Sequence, residues 1–148
     1  MTESETAMPE QPRAVQAWHA VVESGDPARL DGLLADDVVF RSPAVFAPQK
    51  GKDLTARYLR AAMAVLGHSL RYVEEWYGPS SAVLEFEAEL DGLYVHGVDM
   101  LRWDDAGQLV SFTVMVRPVR GLQKLVELMQ HELMQGEPVQ GELMGGQP

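Results

Sequence analysis

Among the residues of this chain that could move a proton, Asp99 stands out, because its neighbours leave it as a lone carboxylate among apolar side chains. The two-residue Asp91-Gly92 turn fixes the pairing of the strands on either side of it. Leu90 falls opposite Leu93, Ala88 opposite Val95, Phe86 opposite Gly97 and Leu84 opposite Asp99. Side chains alternate along a strand, so Leu84, Phe86, Ala88, Leu93, Val95, Asp99, Leu101 and Trp103 share one face. Read as a four-residue loop, Asp104 to Gly107 pairs Trp103 with Gln108 and Asp99 with Phe112, which adds Phe112, Val114 and Val116 to that face. A one-residue slip would bury Ser111, Thr113, Met115 and Arg117 in their place and forfeit much apolar burial. A carboxylate walled by Leu84, Phe86, Leu101, Phe112 and Val114 loses hydration, so its pKa is expected to rise.

Other chemistry-bearing residues are less constrained. Trp18 carries a donor-only indole able to bond Asp99 or a ligand, although its place on a helical stripe equally suits packing. His19 follows it and could reach the mouth of a pocket. His96 falls opposite Glu87 on the other sheet face, where an ion pair or an interface is its expected role. Glu85, Glu87 and Glu89 form a one-face ladder without histidine partners, which reads as a solvated surface rather than a metal site. His131-Glu132 lacks the second histidine of a zinc-protease helix, and no GxSxG, GxGxxG or P-loop string occurs. No metal and no cofactor are expected.

Several function classes are excluded by composition. A net charge of −10 with no clustered Lys and Arg opposes phosphate binding, so nucleic acid is not an expected partner. No apolar run approaches the ~20 residues of a membrane span. The opening MTESETAMPEQPR is acidic and polar, unlike a secretory signal, and there is no cysteine. A cytoplasmic protein is expected.

The elements that must position Asp99 follow from periodicity. Residues 1–11 read as a flexible arm and 136–148 as a flexible tail, with one domain over 12–135 that includes a C-terminal helix. Val15, Trp18 and Val22 mark a helix ending at Gly25-Asp26-Pro27, and Leu30, Leu33 and Leu34 a second, short one capped by Asp26. Val38 to Phe40 reads as a short strand, AVFAPQKG as irregular, and Lys52 to Leu66 as a third helix stopped by Gly67. Strands are predicted over Leu70–Tyr77, Ala82–Leu90, Leu93–Trp103 and Leu109–Pro118. Their short connections require antiparallel pairing. After Gly121, Leu122, Leu125, Leu128 and Met129 give the last helix an apolar side. The class is α+β.

With these residues in place, the sequence resembles the NTF2-like superfamily, in the branch of the ketosteroid isomerases and SnoaL-like polyketide cyclases. The resemblance runs from about Ala14 to Leu125. It is carried by AVQAWHAVVESGDPARLDGLLADDVVFRSP, by KGKDLTARYL and by VDMLRWDDAGQLVSF leading to VMVRP. It implies a cone of three N-terminal helices on a strongly curved antiparallel sheet, often dimeric through the outer sheet face. Asp99 matches the late-strand Asp of ketosteroid isomerases, an enzyme in which that carboxylic acid stays neutral and donates. Trp18 stands at the first-helix Tyr, and Ser42 at the Asp before Pro that serves as base. Tyr58 matches a pocket-lining aromatic position and could supply a hydroxyl.

Two functional readings follow. In the first the protein is an isomerase, cyclase or dehydratase that moves a proton on a small apolar, polyketide- or steroid-like molecule. Asp99 is then acid/base or donor, Tyr58 a catalytic partner, and Trp18, Phe40, Ser42, Phe86, Leu101, Phe112 and Val114 the ligand-binding lining. In the second, the same cone is a non-catalytic ligand-binding or dimerisation module in which Asp99 is a polar anchor. On the outer face, Tyr94, Val98, Met100 and Met115 form an apolar surface that a homodimer would cover.

Overall fold

A computed structural model of the chain describes residues 10–136. Residues 1–9 of the arm expected over 1–11, and residues 137–148 of the tail expected over 136–148, lie outside the described residues. The stripe of Val15, Trp18 and Val21 buries one side of α1 (Arg13–Ser24), which ends where Gly25 turns left-handed at φ 67°. Asp26 accepts the Ala28 N–H at 3.0 Å and starts α2 (Ala28–Leu33). That helix runs directly into β1 (Leu34–Arg41), longer than the three residues expected because Leu34 already pairs with Leu109. The stretch expected to be irregular contains the short β2 (Gln49–Lys50), and α3 (Lys52–Leu66) stops at Gly67 as expected. β3 (Arg71–Tyr77), β4 (Ser81–Leu90), β5 (Leu93–Trp103) and β6 (Leu109–Arg117) follow, then α4 (Val119–Gly136). No described helix is long and apolar enough to cross a membrane.

The sheet order is β2-β1-β6-β5-β4-β3. Strands β3 to β6 form the expected antiparallel meander, but β1 lies parallel to β6, so the sheet is mixed rather than antiparallel throughout. A parallel neighbour needs a long crossover. Here α3 and the rest of the meander supply it.

Around Asp91-Gly92 the register is the expected one, with both turn residues at positive φ and Leu84 opposite Asp99. Between β5 and β6 it differs by two residues: Leu101, not Asp99, faces Phe112, and Asp99 faces Val114. Trp103 pairs with Leu109, which makes the loop one residue longer than read, and an irregularity between Arg102 and Trp103 adds another step. Asp104 holds the longer loop by accepting the N–H groups of Ala106 and Gln108, both at 3.0 Å. Two one-residue shifts cancel in parity, so Phe112 and Val114 keep the face expected of them.

Helices α1, α3 and α4 cover the concave face. Trp18 meets Phe112 edge-on with ring centroids 4.9 Å apart, and Leu125 of α4 packs with Phe86 and Val95. At Gly97 the neighbouring strand and the Phe86 ring approach too closely for a side chain, since a Cβ would come within 2.3 Å of the Met115 carbonyl oxygen and 2.7 Å of the Phe86 ring.

Candidate functional site

Asp99 lies on the concave face, 5% exposed, amid a buried apolar cluster. Its Oδ2 accepts a hydrogen bond from the Tyr72 hydroxyl at 2.6 Å. The Tyr72 oxygen in turn accepts from Trp18 Nε1 at 2.9 Å. Burial pushes the Asp99 carboxyl up to about 7, and the bond from Tyr72 offsets part of that rise. Burial and the facing Asp99 carboxylate drive the Tyr72 hydroxyl well above its ordinary value, against the donation from Trp18.

Tyr72 reaches this position through a β-bulge. It pairs with Phe86 while Glu74 pairs with Glu85, so Val73 is an extra residue on β3. Counting back from Glu75 opposite Leu84 in strict alternation would put Val73 inside and Tyr72 outside. The bulge exchanges them, and Val73 is indeed exposed. No sequence signal distinguishes the two arrangements, which is why Tyr72 was not legible as a site residue.

Beside this group, toward the rim, Glu75 also faces inward. Burial works against its ionisation, but hydrogen bonds from Tyr77 at 2.6 Å and Gln11 at 3.1 Å, with His19 opposite, hold it below its ordinary value. The His19 and Tyr72 rings meet nearly at right angles, centroids 4.9 Å apart.

Asp99, Tyr72 and Trp18 border a cavity of about 60 Å³. Of the residues read as ligand-binding, Trp18, Phe40, Ser42, Phe86, Phe112 and Val114 line it together with Asp99. Leu101 lies one row farther along, buried opposite Phe112, as the two-residue register difference requires. Tyr58, read as a catalytic partner, does not line the cavity. Helix α3 turns Leu59, Ala62, Met63 and Leu66 toward it and packs Tyr58 on Phe40, centroids 5.6 Å apart. Ser42 accepts the Ala44 N–H at 3.0 Å. On the outer face His96 stands opposite Glu87 in register, but its ring reaches diagonally to Glu85 at 2.7 Å, leaving Glu87 to Arg71 and Tyr94. Among the described residues no three metal-ligating side chains gather into a metal site.

Chemically, the arrangement offers one carboxyl group that titrates near neutrality inside an apolar enclosure. Such a group can donate to a ligand oxygen when protonated and accept a proton when ionised.

The comparisons with known proteins agree with the fold. The chain is similar to a steroid delta-isomerase from Pseudomonas aeruginosa, with 34% identity and a TM-score of 0.81 over 88% of this chain and 98% of that one. A protein with a cystatin-like fold from Silicibacter pomeroyi is similar at 27% identity and a TM-score of 0.77, over 82% of this chain and 86% of that one. A protein described as a SnoaL-like polyketide cyclase from Jannaschia shares the fold at 9% identity, TM-score 0.62, over 80% and 97% of the two chains. No curated protein matches the chain. The SnoaL-like domain model matches residues 15–112, the span that holds α1 through Phe112 and with it Trp18, Tyr72 and Asp99. The chain belongs to the SnoaL-like domain family, with the NTF2-like fold.

Proposed function

We propose that this protein binds a small apolar molecule, polyketide- or steroid-like, in the cavity beside Asp99 and moves a proton on it in an isomerase-, cyclase- or dehydratase-type reaction. The observation that carries this reading is the Asp99 carboxyl, buried among apolar walls, with one oxygen held by Tyr72 and the group titrating at about 7. A general acid–base group works best when its pKa lies near the operating pH. The likeness to a steroid delta-isomerase at 34% identity supports the reaction class. A second reading, a ligand-binding module without turnover, is favoured by Ser42 at the position of the isomerase base and by the lack of a second carboxylate among the cavity's lining residues.

A thermal-shift screen of apolar ketones and polyphenolic compounds on wild type and Asp99→Asn, followed by turnover assays on each hit, separates the two. Proton chemistry predicts hits that wild type converts and Asp99→Asn binds but does not convert. Binding that is never followed by conversion, with affinity indifferent to the substitution, removes the catalytic reading for that ligand class.

We also propose that two copies pair through the outer sheet face. Trp76, Tyr94 and Met115 are 50%, 51% and 54% exposed there, with Val98 and Met100 half-buried between them. At one end of this face Arg41 and Arg102 have no carboxylate within 4.0 Å among the described residues. Glu87 and Glu89, opposite His96 and Tyr94, lie toward the other end. A two-fold axis near Val98 brings each basic end over the other copy's acidic end.

A further inference from the structure

We infer that Trp18 and Tyr72 are positioning residues that form a one-way hydrogen-bond chain, fixing Asp99 Oδ1 as the atom that meets the ligand. This deepens the pocket reading above and rests on it for the ligand alone. An indole nitrogen has one hydrogen and nothing with which to accept. The 2.9 Å contact can therefore run only from Trp18 Nε1 to the Tyr72 oxygen. The hydroxyl's single hydrogen then points along the 2.6 Å contact to Asp99 Oδ2. A tyrosine at position 18 could donate or accept, and the direction would be open; tryptophan closes it.

Three consequences follow. The Tyr72 proton is committed to Asp99 and is not offered to a ligand. With Tyr72 still donating to Oδ2, a proton taken up by Asp99 sits on Oδ1, the oxygen not engaged. Oδ1 has no hydrogen-bond partner among the described residues and is not sealed off, since the described side-chain polar atom that is both enclosed and unpartnered is the Thr55 hydroxyl. Asp99 lines the cavity, so Oδ1 opens onto it.

The chain also has no exit for a proton. Trp18 cannot pass one on, and His19 meets the Tyr72 ring, not its hydroxyl. Glu75 stands behind Tyr72, paired with His19 and Tyr77. The cavity walls bring no further charge: α3 contributes Leu59, Ala62 and Met63, and α4 Leu125 and Met129. With a ligand in place, Asp99 exchanges protons with that ligand.

The test is a carbon-13 NMR titration of the Asp99 carboxyl in the ligand-free full chain, with the Trp18 indole N–H followed in the same samples. Tyr72→Phe removes a hydrogen bond to the ionised form, so the Asp99 midpoint is expected to rise by roughly one pH unit, the worth of one charge-assisted bond. Trp18→Phe makes Tyr72 a weaker donor and is expected to raise the midpoint by less. In wild type the indole proton resonance should shift along the Asp99 titration curve, and in Tyr72→Phe that coupling should vanish. A midpoint that stays put or falls in Tyr72→Phe overturns the proposal. Should Tyr72→Phe fail to fold, the wild-type indole resonance decides: tracking Asp99 supports the chain and indifference to it overturns it. Because no ligand is used, a failed ligand screen leaves this result standing, and a failed titration leaves the pocket reading intact.

Discussion

Asp99 sits where ionisation is costly, and that cost has a sign that can be followed with pH. Its folded-state value of about 7 lies above the ordinary 3.8. The folded protein therefore holds this proton more tightly than the unfolded chain does. The stabilisation is full below about pH 4 and is lost as pH rises through about 7, with a total on the order of 4 kcal/mol. Asp99→Asn keeps an acceptor for Tyr72 and cannot ionise. Its urea midpoint is expected to change less than that of wild type between pH 5 and pH 8, and at pH 8 to exceed it. An equal wild-type-to-variant gap at both pH values would contradict the assigned burial of this charge. Glu75 works the other way. Held below its ordinary value, it contributes stability that is present above that value and lost as pH falls.

At the level of elements, two local features place the site. The bulge on β3 turns Tyr72 inward, and because Val73 is the extra residue, its deletion restores strict alternation with Tyr72 still opposite Phe86 on the inner face. That deletion is expected to leave the Asp99 titration midpoint unchanged; a rise like that of Tyr72→Phe would mean that the register of β3 had slipped and carried Tyr72 away from Asp99. On β5, Gly97→Ala has no room, because the new methyl meets the Met115 carbonyl at 2.3 Å as well as the Phe86 ring. Backbone cannot move aside as a flexible side chain can, so a loss of about 3 kcal/mol is expected in denaturant unfolding. A substitution cost near zero would show that the neighbouring strand can give way at this point. The helices act as walls: α3 and α4 present Met63 and Met129 to the cavity, thioether side chains that can repack around ligands of different shape.

For the whole molecule, the exposed outer face bears on assembly. Met115→Glu places a charge next to Val98, at the centre of the proposed two-fold contact. The sedimentation coefficient is expected to fall from that of a dimer to that of a monomer, with the Asp99 titration unaffected because that group lies on the opposite face. A wild-type chain that sediments as a monomer at high concentration would dismiss the pairing. The concave and convex faces thus carry separate tasks, and alternation along β4 and β5 keeps them apart.

Much of this was determined by sequence alone. The Asp91-Gly92 turn set one register, that register put Asp99 among apolar residues, and the raised pKa followed from its neighbours. The helices were legible because apolar side chains at helical spacing must share a side. What needed the folded chain was whatever depends on backbone irregularity or on the rotation of one element against another. The bulge at Val73 brought Tyr72 in, the longer loop and the irregularity after Arg102 together exchanged Phe112 for Val114 opposite Asp99, and the rotation of α3 sent Tyr58 to Phe40 instead of the cavity. The parallel pairing of β1 with β6 belongs here too. A one-residue insertion costs little locally and leaves no compositional mark, yet it exchanges the faces of the residues beyond it, so tertiary packing alone selects where it falls.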